Sequence, residues 1–153
     1  MLRVEHGLLR SMMQALGDWL AQSAPAPELR ERAVMLSVGL EDHARREEQL
    51  LFEPLSTKSS NARNWVDMME IVHDEVRGLF EEIAASLRDP TEKLWTILQL
   101  TEEHFVKEEN EVFPLAEDLI DSETLTQLAA AATEARLAAT TWTPDETAIG
   151  EGA

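Results

Sequence analysis

The chain holds four histidines, His6, His43, His73 and His104, and two of them carry a glutamate four residues later, in His43-Ala-Arg-Arg-Glu47 and His104-Phe-Val-Lys-Glu108. On a helix, residues four apart lie one turn apart, so imidazole and carboxylate leave the same face. Nitrogen and oxygen donors that converge inside a protein are costly to desolvate unless a cation sits among them. The chemistry open to this pattern is metal binding. Six protein donors exceed the closed tetrahedron of structural zinc. Imidazole mixed with carboxylate suits iron, manganese or zinc, whereas calcium and magnesium take mostly oxygen. Two metals would use all six groups symmetrically, with His6 and His43 on one, His73 and His104 on the other, and Glu47 and Glu108 shared. Open positions would remain for a bridging oxygen and a small exogenous ligand.

The elements that must position these donors read as helices. His6, Leu9, Met13, Leu16 and Leu20 recur at spacings of three and four, and so do His73, Val76, Phe80, Ile83 and Leu87. Leu36, Leu40, His43, Glu47, Leu50 and Pro54 form a third stripe, and Ile97, Thr101, His104, Glu108, Val112 and Leu115 a fourth. This is the signature of amphipathic helices rather than strands. Breakers fall between the stripes at Ser23–Pro27, at Ser56–Asn61 and at Asp89–Glu92. In the last of these, Asp89 reads as an N-cap, Pro90 as the first helical residue and Glu92 as the far side of a capping box. The pattern predicts an all-α, up-down-up-down antiparallel four-helix bundle, with helices at about residues 3–22, 27–54, 62–88 and 91–117. A short C-terminal helix is expected from about Ser122 to about Ala139. The expected organisation is a bundle over residues 1–120, a C-terminal helix over 121–140 and a polar tail over 141–153.

The bundle is a helical hairpin written twice. His43-x3-Glu47-Glu48-x3-Phe52 matches His104-x3-Glu108-Glu109-x3-Phe113, each followed by a proline, Pro54 and Pro114. His6-x3-Arg10 matches His73-x3-Arg77. In an antiparallel hairpin, residues equidistant from the turn lie level. The midpoint of His6 and His43 falls at 24–25, that of His73 and His104 at 88–89, and that of Glu47 and His73 at 60, each inside a predicted loop. Three turns therefore set all four histidines near one level. A lone histidine on a core stripe is ordinarily a hydrogen-bonded packing residue. Four at one level, beside two carboxylates that would otherwise have to neutralise, point to a metal.

Composition narrows the remaining classes. The net charge is −17 with no basic cluster, so neither nucleic acid nor an anionic membrane is expected as a partner. With no cysteine, disulfides, thiolate clusters and thiol catalysis are excluded, and with no tyrosine a tyrosyl radical is too. No apolar run approaches the roughly 20 residues of a membrane span, and the N-terminus does not read as a secretory signal. A cytoplasmic protein is expected. Met12, Met13, Met68, Met69, Trp19, Trp65 and Trp95 read as core or contact residues.

These blocks resemble the hemerythrin-like family, the HHE cation-binding domains, over about residues 1–120. The carriers are Glu5-His6, the block at 43–52, Val72-His73-Asp74-Glu75 and the block at 104–114. The resemblance implies a four-helix bundle around a non-haem centre of two iron ions with an oxo or hydroxo bridge. His6, His43, Glu47, His73, His104 and Glu108 would be its ligands. It implies a protein that binds or senses O2 or a related small diatomic molecule. The alternative is a di-iron redox enzyme acting on peroxide, O2 or nitric oxide in stress defence, and the sequence does not separate the two. Oxygen-carrying members have a further histidine one turn after the third, where this chain has Arg77. That departure predicts a more symmetric and more open centre, suited to redox chemistry or sensing. Glu70, one turn before His73, is placed to substitute as a ligand but more often such a residue is a solvated or supporting carboxylate, and Glu48 and Glu109 read as exposed or holding a ligand histidine through its second nitrogen. A ferritin-like centre needs Glu-x-x-His on two helices, and only Glu70-Ile-Val-His73 fits. A metal-free interaction bundle leaves the common level unexplained.

Overall fold

The structure, a computed structural model, describes residues 1–140, with side chains described through residue 134. Among these residues there are helices and no strands. Helix α1 spans Leu2–Ala21 and α2 spans Ala26–Glu47. The chain then widens through a π-helical turn, Glu48–Phe52, into one further turn, α3, Glu53–Ser56. Helix α4 covers Ser60–Ala85 and α5 covers Thr91–Lys107. A second π-helical turn, Glu108–Val112, leads into α6, Phe113–Leu119, and α7 spans Ser122–Thr140. The expected polar tail at 141–153 lies outside the described residues.

The ends of these helices have local causes. Ser23, at φ 54°, takes the left-handed conformation that closes α1. The Ser59 side chain accepts from the Ala62 N–H and caps α4. Helix α5 begins at Thr91, as the expected range has it, but its cap differs from the Asp89, Pro90, Glu92 reading. Pro90 is the N-cap and no side chain completes a capping box. Asp89 sits one position earlier and accepts from the Thr91 N–H at 3.1 Å, so it still satisfies an orphan donor at the helix start. The third helix stops at Ala85 rather than at 88, which leaves Leu87 exposed.

Helix α1 packs on α2 and α5, and α4 packs on the same two, which makes a helical bundle. Two apolar clusters fill it. One contains Leu9, Leu16, Leu36, Ile83, Leu94 and Ile97, and the other Phe52, Leu55, Val66, Met69, Val112 and Phe113. Between the clusters lies a polar layer. Each fully buried Leu, Ile or Phe stabilises the fold by roughly 1.5–3 kcal/mol, which offsets the desolvation of that layer. Helix α7 lies against the first π-turn, with Leu125 packed on the second cluster.

Both π-turns correct the predicted stripes. Leu50 and Pro54 were expected to face the core after Glu47, but both are half-buried, and Leu51, Phe52 and Leu55 are buried instead. The second repeat agrees: Phe113 and Ala116 are buried while Leu115 is half-buried. A proline in a regular helix lacks an N–H and collides with the carbonyl four residues back. Pro54 and Pro114 each follow a π-turn that absorbs one extra residue and rotates the helix beyond it.

Candidate metal centre

The residues of the polar layer come from four helices. His6 lies on α1, His43 and Glu47 on the last turns of α2, His73 at mid-α4, and His104 on α5 with Glu108 opening the π-turn that follows. All six are buried, and His6, Glu47 and Glu108 have no exposed surface at all. Their donor atoms form two groups, each within 4.8 Å: His6, His43, Glu47 and Glu108, and Glu47, His73, His104 and Glu108. Both glutamates belong to both groups.

The glutamates divide their oxygens between the groups. Glu47 turns Oε1 to His43 Nε2 at 3.1 Å and Oε2 to His73 Nε2 at 3.6 Å. Glu108 turns Oε1 to His104 Nε2 at 3.1 Å and Oε2 to His6 Nε2 at 3.3 Å. The histidines meet nitrogen to nitrogen: His6 and His43 Nε2 are 3.0 Å apart, and so are His73 and His104 Nε2. Donors held about 2.1 Å from one ion at right angles lie about 3 Å from each other, and these spacings match.

Surrounding carboxylates decide which nitrogen faces inward. His6 Nδ1 lies 2.8 Å from Glu109 Oε1, His43 Nδ1 2.9 Å from Glu5 Oε2, and His73 Nδ1 2.8 Å from Glu48 Oε1. An ionised carboxylate only accepts, so each Nδ1 carries the proton and donates. With neutral rings, the Nε2 lone pairs of His6 and His43 then face one another across 3.0 Å. That arrangement is repulsive without a cation. All four oxygens of Glu47 and Glu108 also lack a hydrogen bond of acceptable geometry, despite the nearby nitrogens. Buried carboxylates with orphaned oxygens beside imidazole lone pairs fit a metal, and the donor chemistry of the chain passes that test.

Arginines hold the outer carboxylates. Arg10 reaches Glu109 at 2.7 Å and Glu102 at 3.0 Å. Its repeat-mate Arg77 reaches Glu48 at 2.9 Å and Glu41 at 2.7 Å. Arg46 binds Glu5 Oε2 at 3.0 Å. Each outer carboxylate is thereby matched by a cation, while among the described residues Glu47 and Glu108 pair with histidines and with no arginine or lysine.

The acid–base balance reflects this. Burial pushes the His6 ring toward its neutral form, but the carboxylates of Glu108, Glu47 and Glu109 outweigh it and raise the pKa to about 9. Burial likewise opposes a charge on His43, and Glu47 and Glu5 raise it to about 9. His73 is raised against burial, chiefly by Glu47. Burial would raise Glu47, yet His43, His6 and His73 hold it well below the ordinary carboxylate range. The carboxylates favour a cation beside them, a protonated imidazole included.

The structure brings together His6, His43, Glu47, His73, His104 and Glu108, the six residues expected as ligands. Glu70 is exposed on α4 and takes no part. Glu48 and Glu109, open between two roles in the sequence, each hold a histidine Nδ1. Sequence reasoning missed the supporting roles of Glu5, Arg10 and Arg46, and the ring of Phe105, which stacks on His6 with centroids 4.0 Å apart. The pairing of Arg10 with Arg77 in the repeat was a usable signal. Glu5 gave none, because its repeat-mate is Val72.

A helical bundle with a buried histidine–carboxylate layer between two apolar cores defines the class as a metal-binding helical domain. The family model described as the hemerythrin HHE cation binding domain matches residues 1–116, and the chain belongs to that family. No match emerges among curated proteins or among solved structures. Among the described residues no helix is long and apolar enough to cross a membrane.

Proposed function

We propose that the chain is a non-haem di-iron protein that binds or senses O2 or a related small diatomic molecule. One observation carries this reading: each of Glu47 and Glu108 offers one oxygen to each histidine pair, the disposition of two carboxylates shared by two ions. His6, His43, Glu47 and Glu108 would hold one iron, and Glu47, His73, His104 and Glu108 the other. Membership of a cation-binding family supports it. Iron so held supplies a reversible change of oxidation state and open positions for an exogenous ligand. The chain's own residues do the rest. Glu5, Glu48 and Glu109 fix three imidazoles with Nε2 inward. Arg10, Arg46 and Arg77 hold those carboxylates in place. Phe105, Phe113 and Phe52 lie over the histidine rings and exclude water.

The same reading takes the helices as an up-down-up-down bundle over residues 1–120, since successive long helices connect the two apolar clusters in alternate directions. It takes α7 as an appended element and the cytoplasm as the location. A redox enzyme acting on peroxide, O2 or nitric oxide is the second reading. A cavity beside His73 and His104, of a size to admit more than a diatomic molecule, favours it.

The test is anaerobic reconstitution with ferrous iron, with metal counted per chain and the optical spectrum followed as O2, nitric oxide and peroxide are added. Two ions per chain and a stable adduct are expected. One ion or none overturns the di-iron reading, and rapid turnover of peroxide selects the enzyme.

A further inference from the structure

The supporting residues of the two halves correspond, except at one pair. Glu109 and Arg10 behind His6 have their counterparts in Glu48 and Arg77 behind His73. Behind His43, Glu5 Oε2 lies 2.9 Å from Nδ1, and Arg46 holds the same oxygen through Nη2 at 3.0 Å and Nε at 3.2 Å. Glu5 is buried and Arg46 half-buried. The places equivalent to these two hold Val72 and Lys107. Valine offers no acceptor, and Lys107 is exposed. The carboxylate–guanidinium pair is thus missing as a unit, and His104 Nδ1 is buried with no hydrogen-bond partner among the described residues.

Torsion about the Cβ–Cγ bond of histidine is broad, so a ring keeps one angle only where its surroundings fix it. Carboxylates fix His6, His43 and His73 at the nitrogen away from the donor layer. Phenylalanine rings add to this: Phe105 stacks on His6 at 4.0 Å and Phe52 on His73 at 5.8 Å, and Phe105 meets His43 edge-on at 5.6 Å. Against His104, Phe105 stands at 6.1 Å and is tilted by 49°. His104 is the least constrained of the four. Partners behind a ligand histidine are worth about 10–100-fold in metal affinity. Glu47 and Glu108 each turn one oxygen to each histidine pair and so favour neither. A difference between the two positions must come from residues they do not share.

We propose that the two metal positions are unequal, and that Glu5, held by Arg46, makes them so. The His6–His43 position keeps its ion, and the His73–His104 position, which lacks this pair, gives its ion up first. Glu5 acts through His43 as a positioning residue. The protein then holds one ion across a range of free iron and two only above it, so the second position exchanges its ion with the surroundings. This rests on the di-iron reading.

The test is anaerobic equilibrium of protein loaded with ferrous iron against graded concentrations of a ferrous chelator, with iron retained per chain measured at each. Two steps of one ion each are expected, separated by about tenfold or more in free iron. Glu5→Ala weakens the tight step, Val72→Glu strengthens the weak one, and each narrows the gap. Glu5→Gln, which keeps an acceptor for Nδ1, preserves part of it. His104→Ala removes the weak step and leaves the tight one. Helix content shows that each variant folds, and if Val72→Glu does not, the two Glu5 variants decide. Three results overturn the proposal: two ions lost in a single step; a gap unchanged in Glu5→Ala, as repulsion between the ions alone would give; or a His104→Ala protein that keeps the weak step and loses the tight one. Fewer than two ions per chain at saturating iron would sink the di-iron reading and this inequality with it, whereas two ions lost together sink the inequality alone.

Discussion

The His6–His43 half and the His73–His104 half present the same donors in the same order, but their surroundings differ. In the first, both Nδ1 atoms have carboxylate partners, Glu109 and Glu5, and His6 is stacked by Phe105 and Phe113. In the second, His73 has Glu48 and one ring, Phe52, while His104 Nδ1 has no partner among the described residues, and a cavity adjoins both of these histidines and His43. Three substitutions across the repeat account for the contrast: Glu5 against Val72, Phe105 against Ala44, and Leu40 against Thr101. Duplication supplies the donors, and departures from duplication supply support on one side and access on the other.

The largest expected effect falls on both halves at once. Glu47→Ala or Glu108→Ala removes a carboxylate that faces both histidine pairs, so bound iron should fall further than for any single histidine-to-alanine change. Metal analysis of reconstituted variants reads this directly, and equal losses for Glu47→Ala and His104→Ala would break the sharing argument.

Next come changes that make the halves alike. Glu5→Ala strips His43 of its acceptor and should weaken metal binding about 10–100-fold. Val72→Glu offers His104 the partner it lacks and should strengthen metal binding at that half while narrowing the cavity. Competition against a chelator measures both, and opposite signs are required.

Acidity separates chelated from loaded protein. His6 and His43, raised to about 9, gain protons more readily in the folded chain than at the ordinary value of 6.5. Their contribution to the stability of chelated protein is fully present below pH 6.5 and lost as pH rises through about 9. The melting temperature of chelated protein should therefore fall by several degrees over that window. Loaded protein should not follow it, because protons and metal compete for the same nitrogens. Parallel curves for the two forms would contradict this.

The smallest effects belong to the arginines. Arg10→Met and Arg77→Met each free a half-buried glutamate, and at their partial exposure the loss should stay within about fivefold in metal affinity. Arg77→His differs in kind. It places a donor one turn from His73 at the edge of the cavity, and should change the optical spectrum and slow autoxidation, which stopped-flow mixing with O2 would show.

The helices were legible because their period is local. His6, Leu9, Met13, Leu16 and Leu20 face the core as the spacing requires. The gathering of six donors in one layer was legible because three loop positions each fixed a register. The shift of the core face after Glu47 and Glu108 was not. The spacing of three and four continues through Leu50 and Leu115 on paper, while the widened turns before Pro54 and Pro114 rotate the chain by one residue. The cap of α5 shifted by one residue, from Asp89 to Pro90, for a similarly local reason, the Asp89 carboxylate accepting from the Thr91 N–H from outside the helix.

By itself, then, the sequence determined the helical class, the repeat and the donor residues, because these follow from composition and short-range spacing. Tertiary structure alone decided which nitrogen of His6, His43 and His73 faces inward, because that depends on Glu109, Glu5 and Glu48 arriving from other helices. It also decided which half is open. Whether Phe105 or Ala44 lies over a histidine matters only once α5 meets α1 and α2 meets α4, and no spacing along one chain segment records the volume left between two others.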